Sequence, residues 1–373
     1  MSESFVRTNH APERMPPNAH IGVVRWMREN LFSSWFNACL TIFSIVLLFL
    51  TLPPLLDWAI FSAVFSGEDG AACRVDGAGA CWAFVEAKFG QFLFGRYPAE
   101  ERWRVLLTLF LGVAGLAPLL IPSEFPKKWF VAYLLVPFPL LAFVFLSGGL
   151  FGLATVETSD WGGLMVTLVV AVTGIAASLP LGVLLALGRQ SDMPVVRILC
   201  VVFIEFWRGV PLITVLFMSS VMLPLFLPEG MSFDKLLRAL IGVALFSSAY
   251  MAEVVRGGLA AVPAGQYEAA KALGLTYWQS MGRIVLPQAL KTVIPGIVNN
   301  FIGLFKDTTL VLIIGLFDLL GIVQSNFTDP TWSSPQTATT GYVFAAFVFW
   351  IFCFGMSRYS VYMERRLDAG EQR

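Results

Sequence analysis

The chain has 373 residues, of which 57% are hydrophobic and only 13% are charged, and its formal net charge is zero. Soluble domains carry about 25% charged residues, so this chain has too little polar surface to fold in water and requires a lipid bilayer. A balanced charge also argues against a nucleic-acid partner, which would need a basic face.

The first 33 residues form a polar tail, which we predict to be disordered and cytoplasmic. The tail is too long for a signal peptide, in which the apolar stretch begins almost at once. It contains both histidines of the chain, His10 and His20. Histidine-based catalysis inside the membrane is therefore excluded.

The rest of the chain is organised around long apolar segments. About 20 apolar residues are needed to cross a bilayer as a helix, and eight segments reach that length. We therefore predict an all-α polytopic membrane protein, with three N-terminal spans at 34–150 and a five-span core at 160–365. The predicted spans are 35–57, 105–122, 129–147, 163–187, 197–226, 236–255, 292–316 and 341–360.

The positions of Lys and Arg predict the orientation. If the N-terminus is cytoplasmic, 16 of the 25 basic residues fall in cytoplasmic segments, as the positive-inside rule requires. Both termini are then predicted inside. The long loop at 58–104 lies outside the membrane, and the polar segment at 256–291 lies in the cytoplasm.

Two of the five cysteines, Cys73 and Cys81, are close together in the 58–104 loop. A disulfide between them can persist if this loop faces an oxidising compartment. The alternative is two free thiols. The cysteines do not have the spacing of a zinc or redox site, so we predict no metal.

The segment 262–290 is predicted to form a cytoplasmic hairpin of two short helices. Gly274 can end the first helix in a left-handed conformation. Thr276, with Gln279 three residues on, gives the capping-box pattern for the start of a second helix. We expect Pro287 to end that helix, since proline disfavours helical geometry at the residue before it.

Seven hairpin residues have the spacing of the EAA signature of ABC importer permeases, which this chain resembles: Glu268, Ala269, Ala270, Gly274, Ile284, Leu286 and Pro287. The resemblance implies a coupling helix that sits in a groove of a separate ABC ATPase subunit. The alternative is an ordinary loop helix, with alanines for helix propensity and a glycine stop. No GxxxxGK[ST] occurs, so ATP and Mg belong to the partner ATPase; this chain binds no cofactor and is not an enzyme.

Four flanking segments resemble the polar amino-acid (His/Glu/Gln/Arg) permease family over 160–365, most closely the general L-amino-acid permease membrane subunit: 206–211, 249–258, 286–290 and 304–310. The resemblance implies a type I importer core in the bacterial inner membrane. It also implies a periplasmic amino-acid-binding protein, two ATPase subunits and a second permease subunit. The three additional spans favour a second permease that is not identical to this chain.

Polar residues inside the spans are costly in lipid and therefore face a cavity or a partner. The candidates for a substrate path are Glu205, Arg208, Asn299, Asn300, Lys306, Asp307 and Thr308. Glu205 and Arg208, three positions apart, can neutralise each other on one helix face, so a structural ion pair is the alternative. A kink is expected at Pro211.

Lys306 and Asp307 need a different explanation. Adjacent residues on a helix diverge by about 100°, and neither residue has an opposite charge three or four positions away. They could recognise the carboxylate and ammonium of an amino acid. The alternative is a packing or inter-subunit pair. Glu253 and Arg256, near the cytoplasmic end of their span, suggest a gate or a surface pair.

Two other functions compete with an amino-acid permease. The first is an ABC permease for another small polar solute, such as an opine or a sulfur compound. The second is a secondary transporter, which would need ion-coordinating or proton-relay groups in the membrane. The spans contain few acidic residues, so the sequence disfavours the second.

Overall fold

The computed structural model describes residues 22–121, 126–226, 228 and 233–371. Within these ranges the regular structure is helical, apart from two isolated β-bridges. The chain divides into two compact units, each of which is described by itself.

The smaller unit comprises Met1–Val64 and Asp76–Ala80. Helix α1 (Val23–Asn30) is followed by α2 (Trp35–Leu56). The side chain of Ser34 accepts a hydrogen bond from the backbone N–H of Asn37 (3.2 Å) and so caps the start of α2.

The apolar helix α2 continues through a π-helical turn, Asp57–Phe61, and is exposed along its length, as expected for a helix that spans lipid. The structure differs from the disorder predicted for residues 1–33, because α1 forms at the end of that tail. Residues 1–21, with His10 and His20, lie outside the described residues.

The larger unit comprises Phe65–Val75 and Cys81–Arg373. Its first four helices are α3 (Trp82–Phe94), α4 (Arg102–Leu120), α5 (Lys127–Leu135) and α6 (Pro137–Ser147). The helices that follow are α7 (Gly163–Arg189), α8 (Pro194–Gly209), α9 (Leu212–Phe217), α10 (Lys235–Ala261), α11 (Ala264–Ala272), α12 (Tyr277–Ser280), α13 (Leu286–Thr292), α14 (Ile294–Asp307), α15 (Leu319–Ser325) and α16 (Thr337–Glu371).

Within the described residues, the predicted spans correspond to six single helical segments and two bent pairs that are long and apolar enough to cross a membrane. The pair α5 and α6 bends by 41°, and the pair α8 and α9 bends by 102°. The sharper bend is the kink expected at Pro211, where the chain leaves helical geometry at Val210 (φ −110°, ψ 132°). The second pair is therefore a broken helix, with the break at Val210 and Pro211.

Glycines allow three core helices to pack closely. A Cβ atom added at Gly174 of α7 would lie 2.8 Å from Leu304 of α14 and 2.9 Å from Val243 of α10. A Cβ added at Gly182, two turns further along α7, would lie 2.7 Å from Met251 of α10. Helices α7 and α10 therefore run parallel, with small residues at their interface, as is common between membrane helices.

A disulfide joins Cys73 to Cys81, and their Cα atoms lie 5.7 Å apart. We call residues 65–75 and 81–94 the disulfide cap. The cap contacts the loop between α15 and α16. The backbone N–H of Gly70 donates to the carbonyl of Thr331 (2.9 Å), and Nε of Arg74 donates to the carbonyl of Ser333 (2.9 Å).

A salt bridge also connects the cap to this loop. Lys88 pairs with Asp329, and this hydrogen bond lowers the pKa of the Asp329 carboxyl. At the end of the loop, Thr340 in α16 accepts a hydrogen bond from the backbone N–H of Cys81 (2.9 Å). The cap therefore holds the segment that leads into the last membrane helix.

Candidate functional site

The predicted hairpin is present between α10 and α14. Its first helix, α11, ends at a turn in which Gly274 adopts a left-handed conformation (φ 71°). Thr276 then caps α12. Its hydroxyl accepts from the backbone N–H of Gln279, and the Gln279 side chain accepts from the backbone N–H of Thr276. The capping box expected from the sequence is thus formed.

The second helix of the hairpin does not end at Pro287, and that prediction is wrong. Helix α12 continues through a π-helical turn, Met281–Val285, into α13. Pro287 lies in the first turn of α13, where its missing N–H costs little. The π-turn changes the hydrogen-bond pattern just before the proline, so the helix passes it.

The hairpin is packed firmly against the end of α10. A Cβ atom added at Gly258 would lie 2.5 Å from the carbonyl oxygen of Ala289 in α13. The hydroxyl of Tyr267 in α11 donates to the carbonyl of Leu259 (3.2 Å), and Ala270 is completely buried. A displacement of the hairpin therefore also displaces α10.

The seven signature residues divide between the interior and the surface of the hairpin. Ala270 is buried and Ile284 and Leu286 are partly buried, whereas the others are exposed: Glu268, Ala269, Gly274 and Pro287. The exposed side includes large apolar groups at the tip, with Leu273 75% and Trp278 67% exposed. This exposed apolar patch was not predicted from the sequence, although the adjacent aromatic residues Tyr277 and Trp278 in a polar loop could have indicated it.

Five charged side chains from three helices meet near the end of α7. Arg189 donates from Nη1 to Oε1 of Glu205 (3.0 Å) and to Oε1 of Glu253 (2.7 Å). Arg256 donates from Nε to Oε2 of Glu253 (3.0 Å). Arg208 lies 3.8 Å from Oε2 of both glutamates. We call these five residues the arginine–glutamate cluster.

The cluster alters the pairing expected from the sequence. Glu205 and Arg208 do approach each other, but Arg189 is the closer partner of Glu205. The expected Glu253–Arg256 pair is present and is part of the same cluster. Arg189 was not predicted from the sequence, because its contacts depend on how α8 crosses α7 and α10.

The remaining path candidates lie on α14 and at its end. Thr308 is buried, and its hydroxyl donates to the carbonyl of Phe305 (2.8 Å) where a 3-10 segment begins. Lys306 is exposed and Asp307 half-buried. Among the described residues, neither forms a hydrogen bond or an ion pair with another side chain.

The two groups of polar residues lie at different depths. Leu304, two residues before Lys306, is level with Gly174 of α7, whereas Met251, two residues before Glu253, is level with Gly182. Eight residues of helix separate these levels, or about 12 Å. The asparagines Asn299 and Asn300 lie on α14 between the levels. In the part of the chain that the structure describes, no group of three or more His, Cys, Asp or Glu could hold a metal.

A buried carboxylate at the start of α15 was not predicted from the sequence. Asp318 is completely buried and caps α15, where Oδ1 accepts from the backbone N–H of Gly321 (2.9 Å). Its Oδ2 is buried without a hydrogen-bond partner among the described residues. Burial raises the pKa of this carboxyl to about 6.

The buried carboxyl predicts a pH dependence of stability. Because the pKa of Asp318 is higher in the folded chain than its ordinary value of 3.8, the folded state holds the proton more tightly. The stabilisation that the folded chain gains from this tighter proton binding is fully present below pH 3.8. It is lost as the pH rises through about 6. We expect Asp318→Asn to keep the helix cap of α15, because asparagine retains Oδ1. The substitution should remove the pH dependence, which amounts to at most about 3 kcal/mol in the free energy of unfolding.

Thermal unfolding of the detergent-solubilised chain at pH 5 and pH 7.5 measures the effect. The matched control is Asp234→Asn, at an exposed cap whose Oδ1 accepts from the N–H of Leu237 (2.9 Å). If the wild type and Asp318→Asn have the same difference in melting temperature between the two pH values, the prediction is wrong.

Comparison with known proteins gives the family. Residues 178–369 match the family described as "Binding-protein-dependent transport system inner membrane component". The chain is 55% identical over 365 residues to the inner membrane amino-acid ABC transporter permease protein YhdY of Escherichia coli K12, covering 98% of each chain. It is 42% identical to the glutamate/glutamine/aspartate/asparagine transport system permease protein BztC of Rhodobacter capsulatus, again covering 98% of each.

A solved amino acid ABC transporter structure is 30% identical and covers 55% of this chain and 92% of its own, with a TM-score of 0.47. The family match begins at residue 178, whereas the two full-length relatives also align with the three N-terminal spans. With a matched region of more than half its length and two relatives that align almost end to end, the chain belongs to the family of binding-protein-dependent transport system inner membrane components.

Proposed function

We propose that this chain is the permease subunit of a binding-protein-dependent ABC importer and provides part of the path by which amino acids cross the bacterial inner membrane. The main support is the similarity over 98% of the chain to two permeases whose names state amino-acid transport. The cytoplasmic hairpin and the polar groups at two depths of the spans fit this role.

The hairpin is the proposed contact with the ATPase. Exposed Ala269 and Gly274 allow close approach, Glu268 supplies a charge, and Leu273 and Trp278 offer apolar surface that is available for burial. Because the hairpin packs on α10, a movement of the ATPase would reach the arginine–glutamate cluster directly. ATP and Mg would be used by that partner.

The proposed orientation places both termini and the hairpin in the cytoplasm and the disulfide cap in the periplasm. A disulfide in the cap is compatible with an oxidising compartment. The complex would contain a periplasmic amino-acid-binding protein, two ATPase subunits and a second permease that is not identical to this chain.

The polar residues of the spans are proposed to line the substrate path. Asn299, Asn300, Lys306, Asp307 and Thr308 form one group on α14 and at its end. Glu205 and Arg208 belong to the second group, closer to the hairpin. A zwitterionic substrate carries one carboxylate and one ammonium, which can pair with the charged residues of either group. Its binding does not change the net charge at either depth.

Uptake by proteoliposomes tests the proposal. The chain is purified with its co-purifying subunits, and uptake of radiolabelled L-glutamine is measured with and without ATP inside the vesicles. We expect uptake only with ATP, the ATPase and a binding protein. Uptake driven by an ion gradient without the ATPase would support a secondary transporter. ATP-dependent uptake of a radiolabelled opine or sulfur compound, without uptake of L-glutamine, would support the other kind of ABC permease.

A further inference from the structure

The arginine–glutamate cluster lies toward the hairpin end of the spans, since Arg189 is the last residue of α7. Glu253 precedes the end of α10, Ala261, by eight residues, or about 12 Å of helix. Charged side chains within membrane helices are costly unless they face water, a partner or an opposite charge. The cluster therefore needs a polar surrounding beyond its own ion pairs.

The cluster is also open on one side. The Glu205 side chain is 53% exposed and the Arg208 side chain 35% exposed, whereas the Glu253 side chain is only 17% exposed. Since lipid is an unsuitable neighbour for exposed charges, this side faces water, a polar ligand or the proposed second permease. The opening lies at Glu205 and Arg208, just before the 102° bend between α8 and α9.

Hydrogen bonding within the cluster is unequal. Arg189 donates a hydrogen bond to one carboxylate oxygen of each glutamate, and Arg256 donates to the second oxygen of Glu253. Arg208 has only contacts of 3.8 Å to the two carboxylates, which are longer than hydrogen bonds. Three guanidinium groups meet two carboxylates, so the cluster has one excess positive charge.

Among the described residues, no hydrogen bond uses the donors of Arg208. Its guanidinium lies 5.9 Å from the centre of the Tyr250 ring, a cation–π contact that favours this position of the group. A guanidinium presents a planar fork of donors that matches a carboxylate with two parallel hydrogen bonds. Arg208 is thus a partly exposed cation.

From these observations we infer that Arg208 is an anion-binding residue that receives the carboxylate of the transported substrate on the hairpin side of the path. This inference rests on the proposed function. Arg189 is a positioning residue. It hydrogen bonds to Glu205 and Glu253, so that both carboxylates form hydrogen bonds with Arg189 and only longer contacts of 3.8 Å with Arg208. Glu205 is then a competitor of the substrate carboxylate.

The inference predicts opposite effects for two neighbours on α8. Arg208→Gln weakens binding of L-glutamine about tenfold and removes the preference for L-glutamine over L-glutaminamide, which lacks the carboxylate. Glu205→Gln keeps a group that can accept from Arg189 but removes a competing charge, so it strengthens binding. Arg189→Gln weakens binding without touching the substrate. The matched control is Arg197→Gln, an exposed residue on the same helix that leaves binding unchanged.

Equilibrium binding of radiolabelled L-glutamine to the whole complex in nanodiscs, without nucleotide or binding protein, measures these effects. A cluster with only a structural role would be damaged by both substitutions, so equal weakening by Arg208→Gln and Glu205→Gln overturns the inference. Wild-type affinity in Arg208→Gln, or no binding by the wild-type complex, also overturns it. If the wild type imports no amino acid in proteoliposomes, the proposed function fails instead.

Discussion

Replacing Gly274 by aspartate is expected to reduce ATP-driven uptake at least about tenfold while the complex continues to hydrolyse ATP. Gly274 has φ 71°, and a left-handed conformation costs a residue with a side chain about 1–2 kcal/mol. The new side chain also projects into open space from the exposed tip, where the proposed ATPase groove lies. The altered turn and the added side chain would then prevent the hairpin from fitting the proposed groove of the ATPase.

Measuring ATP hydrolysis and uptake on the same proteoliposomes gives the number of substrates moved per ATP. Gly282→Asp is the matched control, because Gly282 lies in the same hairpin, has open space around it and does not have a positive φ. Undiminished uptake by Gly274→Asp would count against the coupling role. A chain that fails to insert is recognised by its absence from the membrane fraction.

Asp307→Asn is expected to reduce uptake about tenfold and to leave the amount of assembled complex nearly unchanged. Asp307 is half-buried in a membrane span and forms no ion pair with the described residues. Its charge is therefore available to a substrate ammonium or to a group of the second permease. Asparagine preserves the size and hydrogen bonding of the side chain but removes that charge.

Size-exclusion chromatography of the solubilised complex, together with uptake, separates the two roles. A loss of assembled complex in proportion to the loss of uptake would indicate an inter-subunit pair. Asp76→Asn, at an exposed position in the loop before Cys81, is the control for removing a carboxylate and leaves both measurements unchanged.

The sequence predicts the local structure of the core well, since each feature depends on neighbouring residues. Apolar length defines the spans, Pro211 predicts the broken helix, and Thr276 with Gln279 predicts the start of α12. The error at Pro287 has a local cause too. A proline ends a helix only when the chain cannot change its hydrogen-bond pattern, and here a π-helical turn precedes it.

The candidate site was only partly predictable, because its contacts join residues distant in the chain. Arg189 and Glu253 are 64 positions apart and meet only after α7 and α10 have packed in parallel. Asp318 lies in a short turn before α15, and this turn packs against the start of α7, where Gly163 pairs with Asp318 and Thr167 accepts from the N–H of Leu319. A sequence shows which residues are charged but does not show which carboxylates an arginine will reach.

The bond between Cys73 and Cys81 also has a consequence for biosynthesis. On the proposed orientation, it forms only after the loop has been exported, and the segment it anchors leads into α16, the last helix to be translated. Maturation then depends on a thiol oxidant supplied by the host. Cell-free synthesis under reducing conditions should yield an inserted chain in which maleimide labels five thiols, whereas the mature protein presents the three of Cys39, Cys200 and Cys353.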